Sequence, residues 1–103
     1  MRFFDCPALG RQVGLTDERE EHIERRHEDL LPEHLEELRR TLAEPHELVP
    51  DPLDDECVWF IRWTDTIKGG RFVLAVVCSD PGDPPRSWII TAFLTRSLPP
   101  RLQ

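Results

Sequence analysis

Proline and the β-branched residues divide this chain into two stretches of different period, and that division limits the fold more than any other feature. Up to Pro45 the apolar residues recur at helical spacing. Leu31, Leu35, Leu38 and Leu42 line one face, Pro32 suits a first helical turn, and Pro45 forbids continuation. Upstream, Thr16 suits an N-cap. Asp17, Glu18 and Glu20 would then place negative charge at the positive end of a helix dipole, which predicts a first helix from about Thr16 to Leu30. Beyond Pro45 the residue types change. Cys57 to Trp63, Arg71 to Cys78 and Ser87 to Thr95 are β-branched and aromatic runs of strand length. Lys68-Gly69-Gly70 reads as a hairpin loop between the first two runs, and the Pro/Asp-rich stretch 80–85 as the connection to the third. Helices are therefore expected over about 16–44 and strands over about 47–49, 57–64, 71–79 and 87–95. The expected fold is α+β: two N-terminal helices packed on a three- to four-stranded antiparallel sheet.

A length of 103 residues holds one core, so residues 1–103 are expected to form a single domain. The hydrophobic fraction of 39% and charged fraction of 32% suit a globular chain and exclude a fibrous or disordered one. No stretch approaches the roughly 20 apolar residues of a membrane span, so no membrane partner is expected. Cys6, Cys57 and Cys78 are an odd set without CxxC spacing, and Asp5 and Pro7 interrupt the apolar start of the chain. Both features point to a reducing, cytoplasmic home.

The net charge of −7 argues at first against nucleic acid. Its distribution lifts that exclusion. Residues 17–56 hold 16 acidic and five basic residues, a balance of −11, whereas residues 57–103 carry +3 and residues 1–16 carry +1. Turning each residue of the first helix by about 100° puts Ile23 and Leu30 on a buried stripe. Arg19, His22, Arg26 and His27 flank that stripe, and Glu18, Glu21, Glu24 and Glu28 lie on the far side. His22 and Arg26 are four apart and sit one turn above the other. His27 falls on the opposite flank, where it would pack beneath the sheet or reach its edge.

A histidine beside an arginine is what metal-free phosphodiester cleavage requires. Imidazole moves protons near neutrality, and guanidinium forks onto phosphate oxygens as charge develops. RNA supplies its own nucleophile, the 2′-OH. Arg62 and Arg71 are further cations for substrate binding, and Thr91 and Thr95 are strand hydroxyls on one face of a regular strand. Each also has a plain structural reading. A histidine beside an apolar stripe is often a packing residue, Thr91 and Thr95 are good β-formers, and Arg62 and Arg71 suit a sheet edge. Trp59, Trp63 and Trp88 read more simply as core or sheet-surface aromatics than as stacking platforms. Other chemistries lack their patterns: no HExxH or paired cysteines for zinc, no GxGxxG, no Walker loop and no GxSxG. No metal or cofactor is expected.

The order of the motifs is itself recognisable. Cys6 to Arg19, then His22-Ile23-x-x-Arg26-His27, then Thr41-Leu42-Ala43-Glu44-Pro45, the Gly-Gly hairpin before Arg71 to Val77, and finally Trp88-Ile89-Ile90-Thr91-Ala92-Phe93-Leu94-Thr95-Arg96 follow one another across residues 6–96. This series resembles the small phage-linked branch of the barnase, EndoU, colicin and RelE-like nuclease fold. The resemblance implies a toxin-type or mobile-element ribonuclease that needs no metal, with His22, Arg26, His27 and Thr91 at the active-site positions. It departs from that pattern at Glu20 and Glu24 beside the helix motif and in the acidic stretch 51–56. The leading expectation is a metal-independent endoribonuclease acting by 2′-OH attack. The alternative is a non-catalytic protein-interaction module whose acidic surface meets a basic partner. RNA and a cognate inhibitor are the expected partners of the first, and either form is compatible with a monomer or an edge-paired dimer.

Overall fold

In the computed structural model, which describes residues 1–98, two strands precede the helices. Strands β1 (Arg2–Cys6) and β2 (Arg11–Leu15) form an antiparallel hairpin closed by a 3₁₀ turn at Pro7–Leu9. Gly10 takes φ +68° there, a conformation that a side chain would oppose, and its N–H returns to the Pro7 carbonyl. Helix α1 (Asp17–Arg26) and helix α2 (Leu35–Ala43) follow, and β3 (Glu47–Pro50), β4 (Cys57–Thr64), β5 (Arg71–Asp80) and β6 (Arg86–Thr95) complete the chain.

The strands make one sheet of order β1-β2-β6-β5-β4-β3. The hairpin joins the rest through a short parallel pairing, Val13 with Ser87 and Gly14 with Trp88, while every other pair is antiparallel. The expectation of two N-terminal helices on a three- to four-stranded antiparallel sheet is thereby overturned: the sheet has six strands, is mixed, and begins before the helices. The cause lies in residues 2–15. Each strand there is only five residues long, and β1 is mostly exposed, so neither carries the long apolar run that marks β4 to β6.

The helices begin and end for local reasons. Thr16 caps α1 by accepting the Arg19 N–H at 3.2 Å. The helix stops at Arg26 rather than near Leu30, because the chain turns at His27 so that Leu30 and Leu31 both enter the core. Both helices cover one face of the sheet. Ile23, Leu30, Leu31, Leu38 and Leu42 meet Phe4, Val13, Leu15, Phe60, Val73, Ala75, Val77, Ile89 and Ala92 in a cluster at or near zero exposure. The other face carries a second, smaller cluster of Cys57, Trp59, Ile61, Leu74 and Val76, flanked by Phe72, Phe93 and Leu98. Its aromatics shelter the aliphatic side chains, and Trp59 Nε1 donates to Asp51 Oδ2 at 2.7 Å.

Cys57 and Cys78 stand opposite each other on β4 and β5, their Cα atoms 4.0 Å apart, and are joined as a disulfide. The cysteine spacing gave no sign of this, because cross-strand register and not sequence interval brings them together. No helix among the described residues is long and apolar enough to cross a membrane.

Candidate functional site

Strand β2 pairs with β6 only as far as Trp88, so the rest of β6 has an edge free of β2, and α1 packs against this strand. The C-terminal turn of α1 carries Arg26 and ends on His27, whose ring lies 5.6 Å from that of Phe93 in β6. His27, where the chain leaves the helix, thus reaches the sheet edge. His22 is half-buried one turn earlier, and Arg26 is exposed.

Thr91 comes into this region through an irregularity that the sequence does not announce. Val76 faces Thr91 but Val77 faces Ile89, so Ile90 is an extra residue, a β-bulge beside Thr91. Thr91 and Phe93 lie on the face of the sheet away from the helix core, opposite Val76 and Leu74. The structure therefore brings His27, at the end of α1, against Phe93, whereas Thr91 lies on the sheet face opposite the one that α1 covers.

The polar groups of this set are uncommitted. His22, Arg26 and Thr91 make no side-chain hydrogen bond or ion pair among the described residues. Three other helix cations are engaged by a glutamate one turn away, Arg25 by Glu21 at 2.7 Å, Arg39 by Glu36, and Arg40 by Glu37 at 3.7 Å, while Arg19, like Arg26, has no such partner among the described residues. Burial lowers the pKa of His27, the charges of His22 and Arg26 lower it further, and Asp29 opposes them. His27 is accordingly held in its neutral, proton-accepting form at neutral pH. Glu20, whose charge would oppose an anion here, is held by Arg2 at 2.7 Å.

Arg62 and Arg71 do not join the group. Arg62 lies on the helix-facing side of β4 and donates to the Glu44 carbonyl at the end of α2. Arg71 donates to the carbonyls of Lys68 at 3.1 Å and Gly70 at 2.7 Å, tying its own hairpin. Both guanidiniums stabilise chain turns. Thr95 likewise spends its hydroxyl on the Ser97 carbonyl at 2.7 Å. Cys6 is buried and its thiol pKa is pushed up by desolvation, which suppresses the thiolate a nucleophile needs. No group of three or more His, Cys, Asp or Glu able to hold a metal occurs among the described residues.

Sequence reasoning missed Arg11. Its Nε donates to Ser87 Oγ at 2.8 Å and its Nη2 to Ser79 Oγ at 3.3 Å, and the two hydroxyls bond each other at 2.8 Å. This trio pins β2 to β6 and β5. Only knowledge of β2 as a strand would have revealed it.

Compared with known proteins, the chain matches no family model, no curated protein and no solved structure. None of these comparisons identifies a nuclease family.

Proposed function

We propose that the protein is a metal-independent endoribonuclease whose active site is the α1–β6 edge. The observation that carries this reading is the neutral His27 set against Phe93 of β6, with His22 and Arg26 uncommitted on the same helix. His27 takes the proton of an RNA 2′-OH, and the alkoxide oxygen attacks the adjacent phosphorus. The P–O5′ bond breaks, and His22, acting as general acid, gives a proton to the leaving 5′-oxygen. The products are a 2′,3′-cyclic phosphate and a free 5′-OH. Arg26 offsets the charge that develops on the non-bridging oxygens, and the Thr91 hydroxyl donates to one of them.

Incubation of the purified protein with total RNA and tRNA in EDTA tests the proposal, alongside His22→Ala, His27→Ala and Arg26→Ala. Loss of either histidine should slow cleavage by about 10²- to 10⁴-fold. Intact RNA at high protein concentration, or equal cutting by all three variants, would refute it.

The interaction-module reading draws less support. Asp17, Glu20, Glu21 and Glu24 line a shallow depression of about 240 Å³ on α1. Three of them are already engaged, Asp17 by the chain's amino terminus, Glu20 by Arg2 and Glu21 by Arg25. Asp51 and Asp54 are used within their own loop, accepting from the Leu53 and Glu56 N–H groups. A cognate inhibitor that covers the α1–β6 edge belongs to the ribonuclease reading as its partner. We place that activity in the cytoplasm, where reducing conditions would leave Cys57 and Cys78 as a facing dithiol. The disulfide form would belong to an oxidising compartment.

A further inference from the structure

On the outer face of the sheet, Phe3 of β1 stands opposite Gly14 of β2, and Gly14 stands beside Trp88 of β6. Three strands thus present aromatic, glycine, aromatic in one row. A Cβ at position 14 would lie 2.6 Å from Trp88 Cζ3 and 2.7 Å from Cε3, so the indole rests directly on the glycine backbone. The Phe3 ring approaches the same point to 3.5 Å. Trp88 is fixed by its Nε1, which donates to Asp80 Oδ2 at 3.3 Å, while Phe3 is 59% exposed.

These rings floor a cavity of about 600 Å³ walled by Pro84 and Pro85. Arg86, at its rim, is exposed and has no partner among the described residues. A flat, rigidly backed aromatic surface with one free guanidinium beside it suits a planar ring that carries an anion. A proline-rich peptide would satisfy the rings but would leave Arg86 without a counter-charge.

The bulge at Ile90 connects this surface with the α1 edge. In a regular strand Trp88 and Thr91, three residues apart, would point to opposite faces. The extra residue turns Thr91 and Phe93 to the same face as Trp88. Trp88 and Phe93 are five residues apart, roughly 15 Å along the strand, which is a span of a few nucleotides.

We propose that Phe3, Trp88 and Arg86 form a base-stacking subsite for single-stranded RNA, a few nucleotides from the phosphodiester held at the α1 edge. The choice of ligand rests on the RNA reading above, whereas the subsite itself rests on the cavity. The base lies on the aromatic floor and its phosphate on Arg86. With a chain charge of −7, stacking and one local ion contact hold the strand.

The probe is a fluorescein-labelled single-stranded RNA oligomer, 2′-O-methylated throughout, with binding read by fluorescence anisotropy. It has no free 2′-OH and so reports binding without cleavage. Phe3→Ala should weaken binding about five- to 150-fold, the effect of losing one stacked base. Phe3→Tyr, which keeps a ring, should restore it. Arg86→Ala should weaken binding and flatten the slope of log affinity against log salt by about 0.7. Arg40→Ala, a charge loss elsewhere, should change neither.

Wild-type affinity in Phe3→Ala overturns the subsite. So does a probe that wild type does not bind, or a proline-rich peptide that binds this face in place of the oligomer. Probe binding with the expected variant pattern while total RNA stays intact upholds the subsite and removes the cleavage proposal. Cleavage that persists with unaltered probe binding in Phe3→Ala and Arg86→Ala does the reverse.

Discussion

Opening the Cys57–Cys78 crosslink should destabilise the oxidised protein by about 3 kcal/mol. The bond closes a loop of 21 residues between β4 and β5. In the chain-entropy treatment, a loop of that length removes about 11 cal/mol/K from the unfolded ensemble, or about 3 kcal/mol near room temperature. For a domain of this size that corresponds to a fall in Tm of about 12–24 °C. The clean comparison is wild-type protein with and without a phosphine reductant in urea titrations, since both samples keep the same side chains. A cysteine-to-alanine double variant would add a packing loss at Cys57, which is only 4% exposed. Alkylation of the unfolded, unreduced chain should modify one thiol, Cys6, and alkylation after reduction should modify three. Three reactive thiols before reduction would show that register alone does not form the bond. Superimposable urea curves for the oxidised and reduced protein, with one thiol confirmed in the former, would refute the loop-entropy reasoning itself.

Other perturbations test separate parts of the structure. Gly14→Ala forces a Cβ into the Trp88 ring and should cost about 1–3 kcal/mol, with an altered near-UV circular dichroism signal from the displaced indole; an unchanged spectrum and Tm would contradict the close approach. Thr16→Ala removes the α1 cap and should cost about 1 kcal/mol in urea unfolding. His27 has a lowered pKa in the fold, so below its ordinary value of 6.5 the unfolded chain binds more protons than the folded one. Its contribution to stability is therefore lost as the pH falls below about 6.5, and His27→Gln should lose less stability than wild type between pH 7 and pH 5.

The two halves of the chain were legible to different degrees, for physical reasons. β4, β5 and β6 lie in the interior of the sheet and need long apolar runs, so their residues declared them. α2 declared itself through leucines that all face one core. Strands β1 and β2 were not legible. Their apolar residues, Phe4, Cys6, Val13 and Leu15, alternate with polar ones over too few positions to outweigh loop signals from Pro7 and Gly10. That omission hid the parallel join to β6, and with it the reason Gly14 is a glycine. At the candidate site, the helix wheel assumed a helix that runs past His27, whereas the chain leaves the helix at that residue. Arg62 and Arg71 were misleading, because an isolated strand cannot show that a carbonyl at the end of α2, or within the next hairpin, will take up the guanidinium.

The bulge at Ile90 is the least legible feature and the one on which the arrangement of β6 most depends. Ser87 and Ile89 point into the helix-side core, and beyond the bulge that role passes to Ala92 and Leu94. Were Ile90 to take an ordinary place in the ladder, the alternation would run on through it, bringing Thr91 and Phe93 inward and sending Ala92 and Leu94 out. Deleting Ile90 removes the extra residue itself and leaves a regular strand in which Val77 still faces Ile89 and Val76 still faces Thr91, so the faces of β6 are kept and the variant should fold. Ile90→Val keeps the residue count and removes one methylene from a half-buried position, for a loss of about 1 kcal/mol. The valine variant is the control for packing loss alone, and a deletion variant that unfolds or that turns Thr91 and Phe93 inward would refute this reading of the bulge. His27 should then stay against Phe93, and a changed histidine chemical shift in a folded deletion variant would show that the local twist of the bulge, rather than the faces of β6, positions this edge.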